Sequence, residues 1–269
     1  MQSTDHDNIE TTAKVSTDPV TCNALATLTM YDLTKEFPEL FPHEKPTELH
    51  PLRYPMEIVQ HKIDVIPESH QLSRFPTTYD QFKDRISDKI NTELKTGTVG
   101  PSKSSNAIGM FTQTKRDKPH VATFQLDCIP SNLVTHEYKT TMPSMQQIIN
   151  FVGSRPFRSK VNLTDRYHNI RIHSETVIDS TFSCHMGKYD SRVMQQDHCN
   201  VPATIMRAMN MLFRNIKNLM ISLNDILIAN YIDKEHVYTI RAGMKIAKDS
   251  KLWSNKNKCQ FIAVKMQIL

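Results

Sequence analysis

Two short apolar runs meet at a polar tip late in this chain. Leu219-Met220-Ile221 leads into Ser222-Leu223-Asn224-Asp225, and Ile226-Leu227-Ile228-Ala229 follows. Aliphatic runs of this length broken by a polar pair read as a tight β-hairpin with its tip at residues 223–224. Such a hairpin must bury both arms, which constrains the fold more than any other stretch of the chain. It also carries an acid at its tip. A buried charge is unfavourable unless it is paired or bound to metal, so a metal or phosphate site is a leading reason for the arrangement.

The rest of the chain is able to supply the required core. Of 269 residues, 39% are apolar and 23% charged, enough for one large or two small domains. Glycine is scarce: there are six, against roughly 19 at the usual frequency of about 7%. Turns that normally take Gly are therefore altered or strained. No apolar run approaches the roughly 18 residues of a membrane span, and the N-terminus has no basic-then-apolar signal pattern. The expected location is intracellular, in cytoplasm or nucleus. The cysteines at 22, 128, 184, 199 and 259 are odd in number and widely spaced, with no Cys-x-x-Cys. This suits a reduced protein rather than a disulfide framework or a zinc site. His198-Cys199 alone reads as a loop pair, because zinc needs further ligands at suitable spacing.

Charge divides the chain. Residues 1–50 carry Lys14, Lys35 and Lys45 against nine acids, whereas residues 51–269 carry 30 Lys and Arg against 19 Asp and Glu. An acidic leader on a basic body suggests a tail attached to a polyanion-binding domain. The expected organisation is a disordered acidic leader over 1–45, an extended Pro-rich lead-in over 46–76, and a folded body over 77–269. Within the body, Phe82, Ile86, Ile90 and Leu94 predict a helix over about 79–96 that stops at Gly97. Strands are expected at about 107–113, 121–127, 156–162, 169–172, 180–186 and 189–194, with a helix from Pro143 to Gly153. Asn200 is placed to cap a helix over about 202–215. Asp233 is placed to cap another over 234–249, and short strands near 259–262 and 265–269 close the chain. Interspersed helices and antiparallel strands indicate an α+β fold.

Several segments, in order, resemble the reverse transcriptase of gypsy-type long-terminal-repeat retrotransposons. Leu49-His50-Pro51 through His61-Lys62-Ile63 is similar to the family's lead-in. Gly97 with Pro101-Ser102-Lys103-Ser104 resembles its Gly-x-Ile-x-Pro-Ser-x-Ser segment. Lys115-Arg116-Asp117 resembles the Lys-Lys-Asp-Gly hairpin of the fingers, and Asp127 with Asn132 the Asp-Tyr-Arg-x-Leu-Asn element. Val161-Asn162-Leu163-Thr164-Asp165-Arg166-Tyr167-His168 resembles Leu-Asp-Leu-x-x-Gly-Tyr-His. Asn200, Pro202-Ala203-Thr204 and Met209-Asn210 resemble the Asn-Ala-Pro-Ala-Thr-Phe…Met-Asn helix, and Lys258-Cys259-x-Phe261 the last strand before the thumb. The 222–225 stretch takes the place of Tyr-x-Asp-Asp. The resemblance implies reverse-transcriptase fingers and palm, an antiparallel palm sheet backed by helices, and no complete thumb.

It also implies template-directed DNA synthesis by descent, with an RNA template and DNA primer as partners and magnesium as cofactor. The family holds two metal ions with three carboxylates. Those positions read Asn162, Asn224 and Asp225 here, so only Asp225 remains as an anionic metal ligand. Lys115, Arg116, Asp165, Arg166 and Tyr167 fall at nucleotide-binding positions: basic fingers residues, the triphosphate turn, and the aromatic gate beneath the sugar. Asp197, Asn200 and Ser222 fall at template and primer positions. Arg166 and Asp197 replace small residues, Ser222 replaces Tyr, and Thr123 replaces an Arg. Asp to Asn twice, Gly to Arg, Gly to Asp, and Ala to Val at Val201 can each follow from one G·C to A·T transition. Such a bias points to the decay of a genomic copy, an expectation that the coding sequence would test. The expectation is a catalytically impaired reverse transcriptase; the alternative is a non-catalytic nucleic-acid- or partner-binding remnant. The basic residues Arg241, Lys245, Lys248, Lys251, Lys256, Lys258 and Lys265 are candidates for phosphate contact.

Overall fold

The computed structural model describes residues 30–42, 59–67, 69, 82–115, 118–164 and 170–263. Two sheets organise them. One has five strands: β1 (Val99–Pro101), β2 (Ile108–Lys115), β3 (Lys118–Leu126), β5 (Thr181–Cys184) and β6 (Gly187–Ser191), in the order β1-β6-β5-β2-β3. The other has four: β4 (Phe157–Thr164), β7 (Leu219–Ser222), β8 (Asp225–Asn230) and β9 (Trp253–Ser254), in the order β7-β8-β4-β9. Pairing is antiparallel except where β2 meets β5. The chain is thus the α+β arrangement expected, with the second sheet as the palm.

Each sheet has its own apolar filling. Helix α2 (Lys83–Thr96) lays Ile86 and Ile90 against Val99, Ile108, Met110, Phe182 and Tyr189 of the five-stranded sheet. It ends at Gly97, whose φ of 76° is left-handed and costs a residue without Cβ little. The expected start of this helix, at about residue 79, lies outside the described residues. The palm is larger. Helix α5 (Val201–Phe213) and helix α6 (Asp233–Asp249) pack Ile205, Met209, Phe213, Ile240 and Met244 onto Val161, Leu163, Ile226 and Ile228. On the other side of the sheet, helix α4 (Met145–Gly153) covers Leu227 with Ile148 and Val152. A strand whose successive residues both face apolar partners must be apolar throughout, which is why β8 reads Ile-Leu-Ile-Ala without alternation.

Several elements differ from expectation. Residues 30–42, placed in the disordered leader, contain α1 (Met30–Glu36) and a 3₁₀ turn (Pro38–Leu40). Leu33, Phe37 and Leu40 enter the palm core, because their 4-then-3 spacing makes one apolar stripe. Ion pairs Arg241–Glu36 (3.0 Å) and Lys248–Glu39 (2.8 Å) pin the segment to α6, so these two cations are engaged within the protein. Helix α4 is capped by Ser144, in a reciprocal box with Gln147, and Pro143 lies outside it. Helix α6 has no side-chain cap at Ile232. The strand foreseen near 259–262 is replaced by β9 and a 3₁₀ turn, Lys256–Lys258, leaving one bridge, Lys160–Gln260. Residues 265–269 lie outside the described residues. Between α2 and the palm, a four-residue helix, α3 (Ile129–Asn132), completes the set.

Candidate palm site

The β7–β8 hairpin forms as its apolar arms demand, with Ser222 opposite Asp225 and a two-residue turn at Leu223 and Asn224. Leu223 has φ 42°, a positive value that a γ-branched residue tolerates poorly. Strand β4 lies beside β8 in antiparallel register, and the last matched pair is Asn162 with Asp225. The sheet therefore places two of the three expected metal positions face to face. The third, Asn224, is exposed at the turn, and its backbone carbonyl accepts the Leu163 N–H at 2.9 Å.

The contact between Asn162 and Asp225 decides the chemistry. Asn162 Nδ2 donates to Asp225 Oδ1 at 2.8 Å. Lys160, two residues back on the same strand face, sets its ammonium 3.8 Å from Asp225 Oδ2, and the two side chains are only 12% and 13% exposed. Both carboxylate oxygens thus face hydrogen-bearing nitrogen, and the Lys160 charge offsets that of Asp225. Behind them, the Asn162 carbonyl accepts from Ser254 Oγ (2.7 Å) and from the Asn255 N–H (3.0 Å). The Asn162 N–H points at Cys259 Sγ, 3.4 Å away. Burial, with the nearby Asp225 charge as a lesser cause, pushes the Cys259 thiol above its ordinary value, so it stays protonated.

This donor set does not fit a pair of magnesium ions. Magnesium prefers hard, anionic oxygens in near-octahedral array. Among the described residues one carboxylate is offered here, an amide nitrogen is turned toward it, and an ammonium stands on its other oxygen. Among the described residues, no group of three His, Cys, Asp or Glu side chains could hold a metal ion.

The other expected positions scatter. Lys115 ends β2, its backbone paired with Lys118; Arg116, Asp165, Arg166 and Tyr167 lie outside the described residues. Asp197 is exposed, and its carbonyl accepts from Asn132 Nδ2 at 2.8 Å while Asn132 Oδ1 receives the Cys199 N–H at 2.9 Å. Asn200 occupies the N-cap of α5 but does not cap it. Its buried amide instead takes the Tyr138 N–H at 2.7 Å and donates to the His136 carbonyl at 2.7 Å. Asn132 and Asn200 are therefore braces that fix the loop before α5. Sequence reasoning missed Lys160, although its two-residue spacing from Asn162 put both on one face of a strand. It also missed the neutral histidines: His236, buried between Ser159 (2.8 Å) and Asn230 (2.9 Å), carried no signal beyond its residue type.

No protein-family model matches the chain. Its sequence is 23% identical to the Tf2-3 transposon polyprotein of Schizosaccharomyces pombe over 234 residues, which is 86% of this chain and 17% of that polyprotein. The Tf2-7 polyprotein matches with the same identity and coverage. Among solved structures, a foamy viral protease–reverse transcriptase in complex with double-stranded DNA superposes with a TM-score of 0.73. The match covers 88% of this chain and 41% of that one, at 16% identity. The complex of the foamy viral enzyme with an RNA/DNA hybrid gives a TM-score of 0.72, covering 86% of this chain and 30% of that chain, at 16% identity. The chain has a reverse-transcriptase-like fold and is similar in sequence to transposon polyproteins. Within this reverse-transcriptase fold, the five-stranded sheet with α2 forms the fingers and the four-stranded sheet with α4, α5 and α6 forms the palm. The chain spans 17% of the length of the transposon polyproteins that it matches. No helix among its described residues is long and apolar enough to cross a membrane.

Proposed function

We propose that this reverse-transcriptase domain descends from a polymerase that copied RNA into DNA and is itself catalytically impaired. The observation that carries the reading is the Lys160–Asp225–Asn162 contact, in which the one remaining carboxylate is already neutralised by groups of the protein. Two carboxylate positions have become amides. If each lost charge removes about 3–4 kcal/mol of transition-state stabilisation, each costs ~10²–10³ in rate. Losses at one site are not additive, but the pair brings synthesis close to background.

Primer extension on a homopolymer template, with magnesium or manganese, tests this. The unaltered chain is expected to give background incorporation, and Asn162→Asp with Asn224→Asp to exceed it where the remaining loops permit. Clear extension by the unaltered chain, abolished by Asp225→Ala, overturns the proposal.

A second reading, a nucleic-acid-binding remnant without chemistry, draws support from the braces. Asn132 and Asn200 keep the loop before α5 in place although two of the three palm carboxylate positions hold amides. Two of the solved neighbours are complexes, one with double-stranded DNA and one with an RNA/DNA hybrid. Filter binding of such a hybrid across a salt series tests it. A Kd that rises steeply with salt is expected from phosphate contacts, and no retention at low salt refutes it.

A further inference from the structure

The most unusual buried polar group lies away from the palm carboxylate. His198 is 5% exposed, and among the described residues neither ring nitrogen has a hydrogen-bond partner. It stacks on His61, with ring centroids 5.5 Å apart and planes 16° from parallel. His61 is 1% exposed, and its Nδ1 lies 3.1 Å from Thr204 Oγ1 of α5. Burying an imidazole with an unmet N–H already costs free energy. Burying it charged, with no anion to pair, costs far more.

The two rings join segments that are far apart in sequence. His61 belongs to the lead-in, whose backbone is stitched on both sides. The His61 N–H donates to the Arg171 carbonyl, the His173 N–H donates to that of His61, and the His136 N–H donates to that of Asp64. The Ile66 N–H donates to the Val134 carbonyl. The 134–138 stretch is in turn held by the Asn200 amide, and the 197–199 turn by Asn132. His198 stands inside this knot, in the loop that enters α5.

The charged groups around the rings offer no relief for a proton. From α5, Arg207 opposes a charge on His61. In the lead-in, Lys62 and Asp64 flank His61 and pair with each other at 3.4 Å. Arg171 and His173 flank the backbone with which His61 pairs, and His136 lies on the other side of the lead-in. Beside His198, Asp197 is exposed and Cys199 is half-buried, its thiol pushed up by burial. Among the described residues, neither ring has a carboxylate partner.

We propose that His61 and His198 form an acid-sensitive latch that clips residues 59–66 to the 195–201 loop, and that this latch opens locally before the fingers unfold. The rings hold the seam shut while both are neutral, and a proton on either one, with no counter-charge, drives them apart. Burial holds His61 down to about 3 and His198 to about 4, so opening sets in on the acid side of neutrality. Exposing the rings returns them to water, where a proton is accepted at the ordinary value.

Hydrogen exchange read by mass spectrometry on the full chain between pH 7 and 4.5 tests the latch. The reference is the fingers core of α2, β5 and β6, which contains no buried histidine. Protection factors over 59–66 and 195–201 are expected to fall by at least about tenfold relative to that core, the change one extra proton makes over one pH unit. His198→Phe keeps the stacked ring without the proton site and is expected to shift this loss downward by at least about one pH unit. Thr204→Val removes only a partner of the neutral His61 and is expected to shift it upward. Uniform loss of protection across fingers, lead-in and loop overturns the proposal. So does an unchanged pH profile in His198→Phe or, where that variant does not fold, in Thr204→Val.

Discussion

Replacing Asn162 by Asp tests the electrostatics of the palm without requiring any polymerase activity. The substitution is almost isosteric, but it turns the donor facing Asp225 Oδ1 at 2.8 Å into a second acceptor. A hydrogen bond to a charged group, worth about 1.5–3 kcal/mol, is lost. Two carboxylates about 4 Å apart repel by about 4 kcal/mol at an effective dielectric constant near 20. Lys160, 3.8 Å from Asp225 Oδ2, recovers part of that by serving both. The net expectation is a loss of about 2–4 kcal/mol at pH 7 in EDTA, read as a lower urea midpoint at unchanged slope. Added magnesium or manganese should return much of it, since a ligand that binds only the folded state at 100 times its Kd contributes about 2.7 kcal/mol. The unaltered chain should be indifferent to the same metal. If Asn162→Asp is as stable as the parent in EDTA, the amide is not pairing Asp225. If the parent gains as much from magnesium as the variant does, Lys160 and Asn162 do not neutralise the site, and the account of the palm fails.

Other perturbations follow from the packing. His236 is buried between Ser159 and Asn230 and, like His61 and His198, is held below its ordinary value by desolvation, to about 4. A depressed histidine contributes stability that is complete above its unfolded value near 6.5 and is lost as pH falls toward the folded value. Urea midpoints should therefore report a loss of about 2 kcal/mol per buried ring between pH 7 and pH 5, and a flat profile contradicts the assignment. Leu33→Ala should cost about 2–5 kcal/mol, because its side chain is fully buried in the palm core; a neutral result would return residues 30–42 to the status of a tail. Leu223→Gly should raise the thermal midpoint, since the positive φ there costs a side-chain-bearing residue about 1 kcal/mol; a lower midpoint refutes the claim of strain.

How much of this was legible depended on whether the signal was local. The β7–β8 hairpin was readable because its apolar arms and polar tip are contiguous, and β8 could not do otherwise than bury both faces. Helix α2 was readable from one apolar stripe and its terminating Gly97. The 30–42 segment carried the same kind of stripe in Leu33, Phe37 and Leu40, but acidic composition and nearby prolines masked it. Strand β9 is two residues long and exists because Leu163 and Thr164 offer it an edge; no window of sequence could announce it. Asn200 shows the limit from the other side. Its position before α5 suggested a cap, and the chain does turn helical there. The amide is spent instead on His136 and Tyr138, partners that only the tertiary fold supplies.

The palm repeats the point where the chemistry lies. Sequence marked Asn162, Asn224 and Asp225 as one site because the resemblance aligned them, and the register of β4 with β8 does bring the first and third together. It gave no warning that the surviving carboxylate would be occupied. A lone Asp between two amides would otherwise remain a weak metal ligand, offsetting the cost of its burial by capturing a cation from solution. Lys160 removes that need from within the same strand. A strand face that carries Lys and Asn two residues apart, opposite an Asp on its neighbour, satisfies the buried charge by itself. The protein's own cation and amide close over the Asp225 carboxylate, so this strand pair meets the charge's need for a partner from within.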